Sequence, residues 1–402
     1  MSVISDRKKI TVVGTGLGLD TMTAEAREAI AKAEVLIGAA GVLEPYKDAG
    51  KPAYPCYLPQ EVTALIESEN AREFAVLVSG DVGFYSAAAG LAEALASYDV
   101  GFIPGISTVN AFFARLRLPW QDVAFVSVHG RDTNLVDAVR RNRLTFCLTG
   151  KNVNALGAAL VKAGLGQSKA YIGENLGSPQ ERVYEAVADD LAVGHFSSQT
   201  VLLFANESFD DRTSAGLPDS DFVRQAGVPM TKSETRAVVM SKLNLRPSDI
   251  CWDIGAGTGS VSVEMALNAY RGHVYAVERR EDAIPLIEQN CTAFHLGNVT
   301  VICGDAPASL DALPAPNAVF IGGSGGEMDR IIDVVLSKNP NARIVVSAVT
   351  LETVPAAMAA LAGAGLEPDV VQINAARGRK AGVLHLMEAQ NPVTILSAGG
   401  RQ

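Results

Sequence analysis

The sequence predicts two consecutive α/β domains, each a mainly parallel sheet covered by helices. Three observations predict it. Apolar runs of strand length alternate with helix-patterned segments along the chain, the pattern of parallel strands joined by crossover helices. The 402 residues exceed what one hydrophobic core usually serves. Finally, a glycine loop follows a strand-like run in each half, in 10-ITVVGTGLGLD-20 and in 251-CWDIGAGTGSVSVEMA-266. With 48% hydrophobic and 19% charged residues, the composition suits compact domains rather than a disordered chain.

In the first half, 10-ITVVG-14, 34-EVLIG-38, 74-FAVLVSG-80, 99-DVGFIPG-105, 144-LTFCLTG-150 and 199-QTVLLFANE-207 read as strands, several ending at glycine. Helical patterns occupy 23–33, 86–97 and 152–164. The stretch 207-ESFDDRTSAGLPDSDF-222 is rich in Asp, Ser, Gly and Pro and lacks apolar periodicity, so a linker is expected there. The expected division is a domain over 1–207, a linker over 208–222 and a second domain over 223–402. The second domain carries strand patterns at 249–255, 273–278, 299–304, 317–323 and 342–349. A last pair, 370-VVQINAA-376 and 383-VLHLMEA-389, is expected to form a hairpin about the basic turn 377-RGRKAG-382. Five parallel strands with a terminal hairpin make a Rossmann-like domain.

The bulk properties exclude several partners. A formal net charge of -10 argues against nucleic acid, whose phosphates require a basic surface. The N-terminus runs from charged residues straight into a strand, unlike a signal peptide, and no apolar run approaches the 18 or so residues of a membrane span. Five cysteines, scattered and without C-x-x-C, suit a reduced compartment and offer no zinc site. A cytoplasmic protein without metal is expected.

The second glycine loop carries the sharper signal. A nicotinamide site reads G-x-G-x-x-G, but the third place counted from Gly255 is Ser260, and the glycine comes one residue early, at Gly259. Asp253 stands two residues ahead of Gly255, giving D-x-G-x-G-x-G with Ala256, Gly257 and Thr258 inside the loop. This resembles the first motif of S-adenosylmethionine methyltransferases. Bare backbone lets a cofactor approach closely, and a carboxylate can attract its positive charge. Glu278 ends the next strand, where an acid can accept ribose hydroxyl hydrogens; Asp305 and Ala306 follow the third strand, where adenine binds in such folds. The run 321-IGGSGG-326, with Gly323 and Ser324, ends the fourth, beside the place of methyl delivery. A nicotinamide-dependent oxidoreductase is the competing reading, opposed by Ser260.

The first loop, 14-GTGLG-18 (Gly14, Gly16, Gly18), has no equivalent acid and alone is as consistent with a plain turn as with a site. More informative are 79-SGDVGFYS-86, with Gly80, Asp81, Gly83 and Tyr85, then 104-PGISTVNAFFARLRLPW-120, with Gly105, Ser107 and Thr108, then 127-SVHGR-131 and 173-GENLGSPQERV-183. Together these resemble the tetrapyrrole (corrin and porphyrin) methylase family, whose hallmark turn is close to G-D-P-G-F-x-S. Val82 stands where that family commonly has proline, which loosens the turn but leaves Asp81 and the glycines in place. The resemblance implies a two-lobed class III methyltransferase domain that binds S-adenosylmethionine in the cleft between lobes, mainly through backbone, and that dimerises. The second half, from 230-MTKSETRAVVMSKLNL-245 onward, resembles the decarboxylating precorrin methylases of cobalamin synthesis, which implies a class I fold. The order of the two matches a fused family of precorrin methyltransferases. It implies methylation of carbon 5 by the first half, and methylation of carbon 15 with loss of the ring C acetate carboxylate by the second. It further implies one S-adenosylmethionine per domain, two per chain, and a homo-oligomer, dimer or tetramer. A non-catalytic first half that only docks is the alternative that Val82 leaves open.

A precorrin carries many carboxylates, so cationic donors are expected at its sites. Candidates are Arg377, Arg379 and Lys380, Arg236 on the helix after Thr231, and His129 with Arg131; arginine binds a carboxylate through two parallel hydrogen bonds. By the same resemblance Thr231 joins Ala306 as a cofactor contact. No catalytic triad is visible, and no residue is assigned to the decarboxylation. Glu327 is expected to cap a helix rather than to move a proton.

Overall fold

The computed structural model describes residues 7–129, 133–150, 152–212 and 215–400. The first half builds two sheets. Strands β1 (Lys9–Gly14), β2 (Val35–Gly38), β3 (Ala53–Tyr54), β4 (Glu73–Val78) and β5 (Asp99–Ile103) form a wholly parallel sheet in the order β3-β2-β4-β1-β5. Its central strands are buried on both faces, which is why EFAVLV and KITVVG read as nearly continuous apolar runs. Strands β6 (Ala124–Ser127), β7 (Leu144–Leu148), β8 (Lys169–Glu174), β9 (Arg182–Val187) and β10 (Thr200–Ala205) form the second sheet, ordered β6-β7-β10-β8-β9. Only β6 and β7 pair in parallel; the other three ladders are antiparallel. The expectation of mainly parallel sheets therefore fails for this lobe. Its missed strands include β9, RVYEAV, a half-exposed edge strand whose mixed polarity gives no apolar run.

The second half adds β11 (Ile250–Ile254), β12 (His273–Glu278), β13 (Val299–Cys303), β14 (Ala318–Ile321), β15 (Arg343–Ala348), β16 (Asp369–Ile373), β17 (Ala376–Ala381), β18 (Leu384–Ala389) and β19 (Val393–Gly399). Seven of them form one sheet, β13-β12-β11-β14-β15-β19-β16, parallel except at β19, which is antiparallel to both neighbours. The hairpin differs from the expected one. β16 pairs with β19 rather than with β18, while β17 and β18 pair only with each other, in a separate two-stranded sheet. Its turn is Gly382-Val383, with Gly382 at φ 65°, the sense that a two-residue hairpin turn requires. Arg377, Arg379 and Lys380 thus lie on a strand and not in a turn.

Contacts between the two halves include three on described residues. The Asn134 Nδ2 donates to the Tyr270 carbonyl at 3.1 Å, and the Arg141 guanidinium stacks 4.5 Å from the Tyr270 ring centre. The His295 Nδ1 lies 2.8 Å from the Ala163 carbonyl. Tyr270 and His295 precede β12 and β13, so the first half docks at the amino-terminal ends of those strands.

The connecting segment is anchored rather than free. Leu217 and Phe222 are buried in the core of the second half. The backbone N–H groups of Gly216 and Leu217 donate to the Glu264 carboxylate at 2.7 and 2.9 Å. Arg236, fully buried on the helix Ser233–Leu243, donates through Nε to Glu264 at 2.7 Å and through Nη1 to Asp219 at 2.9 Å. It also donates to the carbonyls of Thr231 and Leu217. Burial alone would raise the Asp219 carboxyl, but hydrogen bonds from Arg236 and Arg377 hold it below its ordinary value. This corrects the expectation for Arg236. All three of its nitrogens donate inside the protein, and the side chain is fully buried away from any ligand.

Removing one member of a buried ion cluster leaves its partners charged and unpaired, at a cost of about 3–5 kcal/mol. Arg236→Met is accordingly expected to lower the unfolding free energy of the second half by about that amount in urea denaturation. A change below about 0.5 kcal/mol, the size typical of surface sites, would return Arg236 to the substrate-facing candidates.

Candidate functional site

Two cavities hold the sequence-predicted residues, one in each half. The larger, about 650 Å³, lies where β11, β12, β13 and β14 end at their carboxyl termini. Open α/β sheets bind ligands at this end. Gly255, Ala256 and Gly257 form its floor, Glu278 one wall, Asp305, Ala306 and Pro307 another, and Gly323 and Ser324 a third, with Thr231 at the edge. Gly257 shows why the loop needs glycine: its φ is 56°, and a Cβ there would stand 2.5 Å from the Pro229 carbonyl oxygen. The Glu278 carboxylate accepts the Gly257 N–H at 2.8 Å and the Arg280 N–H at 2.9 Å, which fixes it at the cavity wall.

Asp253, Thr258 and Gly259 do not line the cavity. Asp253 is wholly buried; one carboxylate oxygen accepts from the Ser262 hydroxyl, and the other has no partner among the described residues. Burial pushes its carboxyl up to about 7. The expectation that Asp253 faces a cationic ligand is therefore corrected: it supports the loop from below. Thr258 Oγ1 is likewise buried and unpartnered.

The hairpin cations are absent from this cavity. Arg377 pairs with Asp219 at 2.8 Å and Glu234 at 2.6 Å and donates to Ser233 at 2.9 Å. Arg379 faces Glu388 at 3.4 Å, and Lys380 is exposed. Their expected substrate role is thus unsupported by position: the first is a tether for the hairpin, and the other two are exposed on opposite faces of its strand. Glu327 precedes the helix Met328–Lys338 but makes no side-chain cap; it pairs with Arg330 at 2.8 Å. Arg279, Arg280 and Arg330 on the wall were missed by sequence reading, although the first two directly follow the predicted ribose-binding acid.

The second cavity, about 540 Å³, lies between the two sheets of the first half. The first lobe contributes Gly16, Gly18, Ser79 and Thr108; the second contributes Leu148, Thr149, Gly173 and the stretch 198–201. Gly14, Gly80 and Gly105 lie under it, where three strand ends converge. A Cβ on Gly14 would stand 2.6 Å from the Gly105 nitrogen and 2.8 Å from the Gly80 oxygen. Gly16 and Gly80 exchange backbone hydrogen bonds at 3.1 and 2.9 Å. Asp81 ties the turns together, accepting from Gly83 N at 2.8 Å and Gly105 N at 3.3 Å. Ser107 caps the helix Thr108–Leu116, and the Tyr85 hydroxyl donates to the Phe125 carbonyl at 3.1 Å. Asp81, Gly83, Tyr85 and Ser107 therefore shape the site from behind. Val82 packs against the first lobe's core. His129 is exposed and off the cavity wall, and Arg131 lies outside the described residues. Thr149, whose hydroxyl donates to the Thr200 carbonyl at 2.6 Å, was legible only as the end of a predicted strand.

Comparison with known proteins follows this division. Residues 222–399 match a precorrin methyltransferase domain, and residues 9–192 match the tetrapyrrole (corrin/porphyrin) methylases. Across both halves the chain is similar to a precorrin-6Y C(5,15)-methyltransferase [decarboxylating] of Sinorhizobium sp., 31% identical over 354 residues, with 85% of each chain covered. The second half is 44% identical over 185 residues to a probable cobalt-precorrin-6B C(15)-methyltransferase (decarboxylating) of Pyrobaculum calidifontis, covering 46% of this chain and 95% of that one. A solved structure of a precorrin-6Y C5,15-methyltransferase from Geobacter metallireducens GS-15 is 38% identical, with a TM-score of 0.44, covering 46% of this chain and 96% of its own.

The Asp253 carboxyl gives a pH signature. An unfolded aspartate loses its proton near pH 4, whereas the buried one keeps it to about 7. The native state then binds more protons in that window, so stability falls as pH rises from about 4 to about 7, by at most about 1.4 kcal/mol per pH unit. Asp253→Asn, which keeps an acceptor for Ser262, is expected to flatten this part of the stability profile in denaturant titrations. An unchanged profile would mean that Asp253 is ionised in the folded protein.

Proposed function

The chain belongs to the family of decarboxylating precorrin-6Y C(5,15)-methyltransferases, and on that premise we propose how its two halves divide the work. It is an S-adenosylmethionine-dependent methyltransferase of cobalamin biosynthesis. In the proposed division, a tetrapyrrole methylase domain over 1–207 methylates carbon 5 of precorrin-6Y. A Rossmann-like domain over 223–402 methylates carbon 15 and releases the ring C acetate carboxylate as carbon dioxide. The metal-free substrate is favoured because the relative matched across both halves acts on a precorrin by name, whereas the cobalt-precorrin relative matches only the second half.

Two S-adenosylmethionine molecules per chain are proposed from one observation. Each half has its own cavity, of about 650 and about 540 Å³, and no described residue of one half lines the cavity of the other. Both volumes suit a small-molecule site. In the second half the cofactor fits a floor of bare backbone at Gly255–Gly257, the Glu278 carboxylate for ribose hydroxyls, and the Asp305–Ala306 wall for adenine. In the first half Gly16, Gly18 and Thr108 offer mainly backbone, with Thr149 and Gly173 opposite. The bound cofactor supplies an activated methyl group. The chain's task is to align an electron-rich carbon of the reduced macrocycle with it and to keep both at contact distance. Loss of carbon dioxide needs an electron sink, which a protonated or newly methylated macrocycle provides.

A homo-oligomer is proposed as well. The β17–β18 hairpin stands apart from the main sheet with Val383 95%, Leu384 66% and Met387 70% exposed, and a lone two-stranded hairpin is marginal in water. A cytoplasmic location fits the cysteines, none of which forms a disulfide. Among the described residues no helix is long and apolar enough to cross a membrane.

Calorimetric titration of the full chain with S-adenosylmethionine is expected to give two sites per chain. Glu278→Gln should weaken one of them about ten-fold or more and leave the other unchanged. A single site in the wild-type chain would sink the two-cofactor reading. For the division of labour, Thr108→Phe fills the first cavity. Its product from precorrin-6Y is expected to gain one methyl and lose carbon dioxide, by mass spectrometry. One methyl gained with the carboxylate retained would place decarboxylation elsewhere.

A further inference from the structure

We infer that Arg279 binds a carboxylate of the tetrapyrrole substrate in the cavity of the second half, an inference that rests on the proposal that this cavity methylates a polycarboxylate macrocycle. Arg279 follows Glu278 at the carboxyl end of β12 and lines the cavity. In the sheet order β12-β11-β14, its side chain reaches past the end of β11 towards the loop after β14. Its Nη1 lies 3.4 Å from the point that a Cβ on Gly325 would occupy. The guanidinium therefore stands beside Gly325 of the 321-IGGSGG-326 loop. Glycines at 322, 323, 325 and 326 leave Ser324 as the one side chain between Ile321 and Glu327, which suits the approach of a bulky macrocycle.

The state of the neighbouring cations singles Arg279 out. Arg280 pairs with Asp282 at 2.7 Å and donates to the Gly227 carbonyl at 2.5 Å, and Arg330 pairs with Glu327 at 2.8 Å. Glu278 beside it already accepts from two backbone N–H groups. Among the described residues Arg279 makes no ion pair and no hydrogen bond, although three carboxylates, those of Glu278, Asp305 and Glu327, share the cavity wall. A planar fork of donors beside a glycine-rich loop matches the two oxygens of a carboxylate. The carboxylate it holds is not the one that leaves. A guanidinium stabilises the anion in the ground state and would oppose loss of carbon dioxide from it. Arg279 thus orients the macrocycle through another of its acidic side chains.

The test uses the full chain with Arg279→Gln and Arg279→Lys. Carbon dioxide release reports the second domain alone, and calorimetry gives the S-adenosylmethionine affinity. Arg279→Gln is expected to raise the KM for the metal-free precorrin about ten-fold or more, with cofactor affinity unchanged within about two-fold. Arg279→Lys should recover part of the loss, because it keeps the charge without the fork. An unchanged KM would overturn the proposal, as would a loss of cofactor affinity, which would assign the guanidinium to the carboxylate of the cofactor. A wild-type chain that released no carbon dioxide would instead sink the proposed function. In that event, equilibrium binding of an octacarboxylate porphyrin still decides for Arg279: weaker binding by Arg279→Gln supports the role, and equal binding overturns it.

Discussion

The second half depends on the Arg236 guanidinium, buried between Glu264 and Asp219. Glu264 lies on the helix Ser260–Asn268, which begins at the last glycine of the 255-GAGTG-259 loop. Asp219 lies in the segment that connects the halves, and it also pairs with Arg377 on β17. One cation thus fixes the helix behind the glycine loop, the helix Ser233–Leu243, the entry of the chain and, through Asp219, the isolated hairpin. The connecting segment and the two helices also share an apolar core, through Leu217, Phe222, Val239 and Val263. A buried cluster is weak evidence for net stability. What it supplies is a single arrangement, since any shift of one element leaves a buried charge without its partner.

The sites themselves rest on a different constraint, the close approach of backbone to backbone. In the first half three strand ends meet at Gly14, Gly80 and Gly105; a methyl group on Gly14 or Gly105 would collide with peptide atoms, and Gly80 has a φ of 69°. In the second, Gly255 meets Gly323 in the same way, with a would-be Cβ 2.7 Å from the Gly323 nitrogen. Side chains then enter mainly as supports. Asp81 and Glu278 both accept backbone N–H groups of neighbouring loops, so the two acids most visible in the sequence first organise the loops that surround a ligand.

This explains what was legible in the sequence. Strands buried on both faces, such as β4 and β11, announce themselves as apolar runs, and the strand ends that need glycine mark the sites. The acid at 278 follows from strand order. Other features depend on partners far along the chain. β8 and β9 pair with each other at the second sheet's edge, and only β8 has a buried run. The register of the last strands depended on β19, whose insertion between β15 and β16 no local pattern signals. Arg236 and Arg279 are chemically identical in the sequence. Only the contacts separate a wholly internal cation from an unpaired one on a cavity wall.

The placement of the two halves completes the picture. The first half docks through Asn134, Arg141 and Ala163 on the loops that enter β12 and β13. The cavity of the second half opens where those strands end, a strand length of five or six residues away, roughly 17–20 Å. The mouth that must admit a macrocycle is therefore on the side of the sheet away from the docked domain. Neither cavity borrows a described residue from the other half, so the fusion supplies no shared wall. Under the proposed function the substrate meets two complete sites in succession, and each half must recognise the macrocycle with cations of its own. In the second half that requirement falls on Arg279, because the other arginines on its wall are already paired.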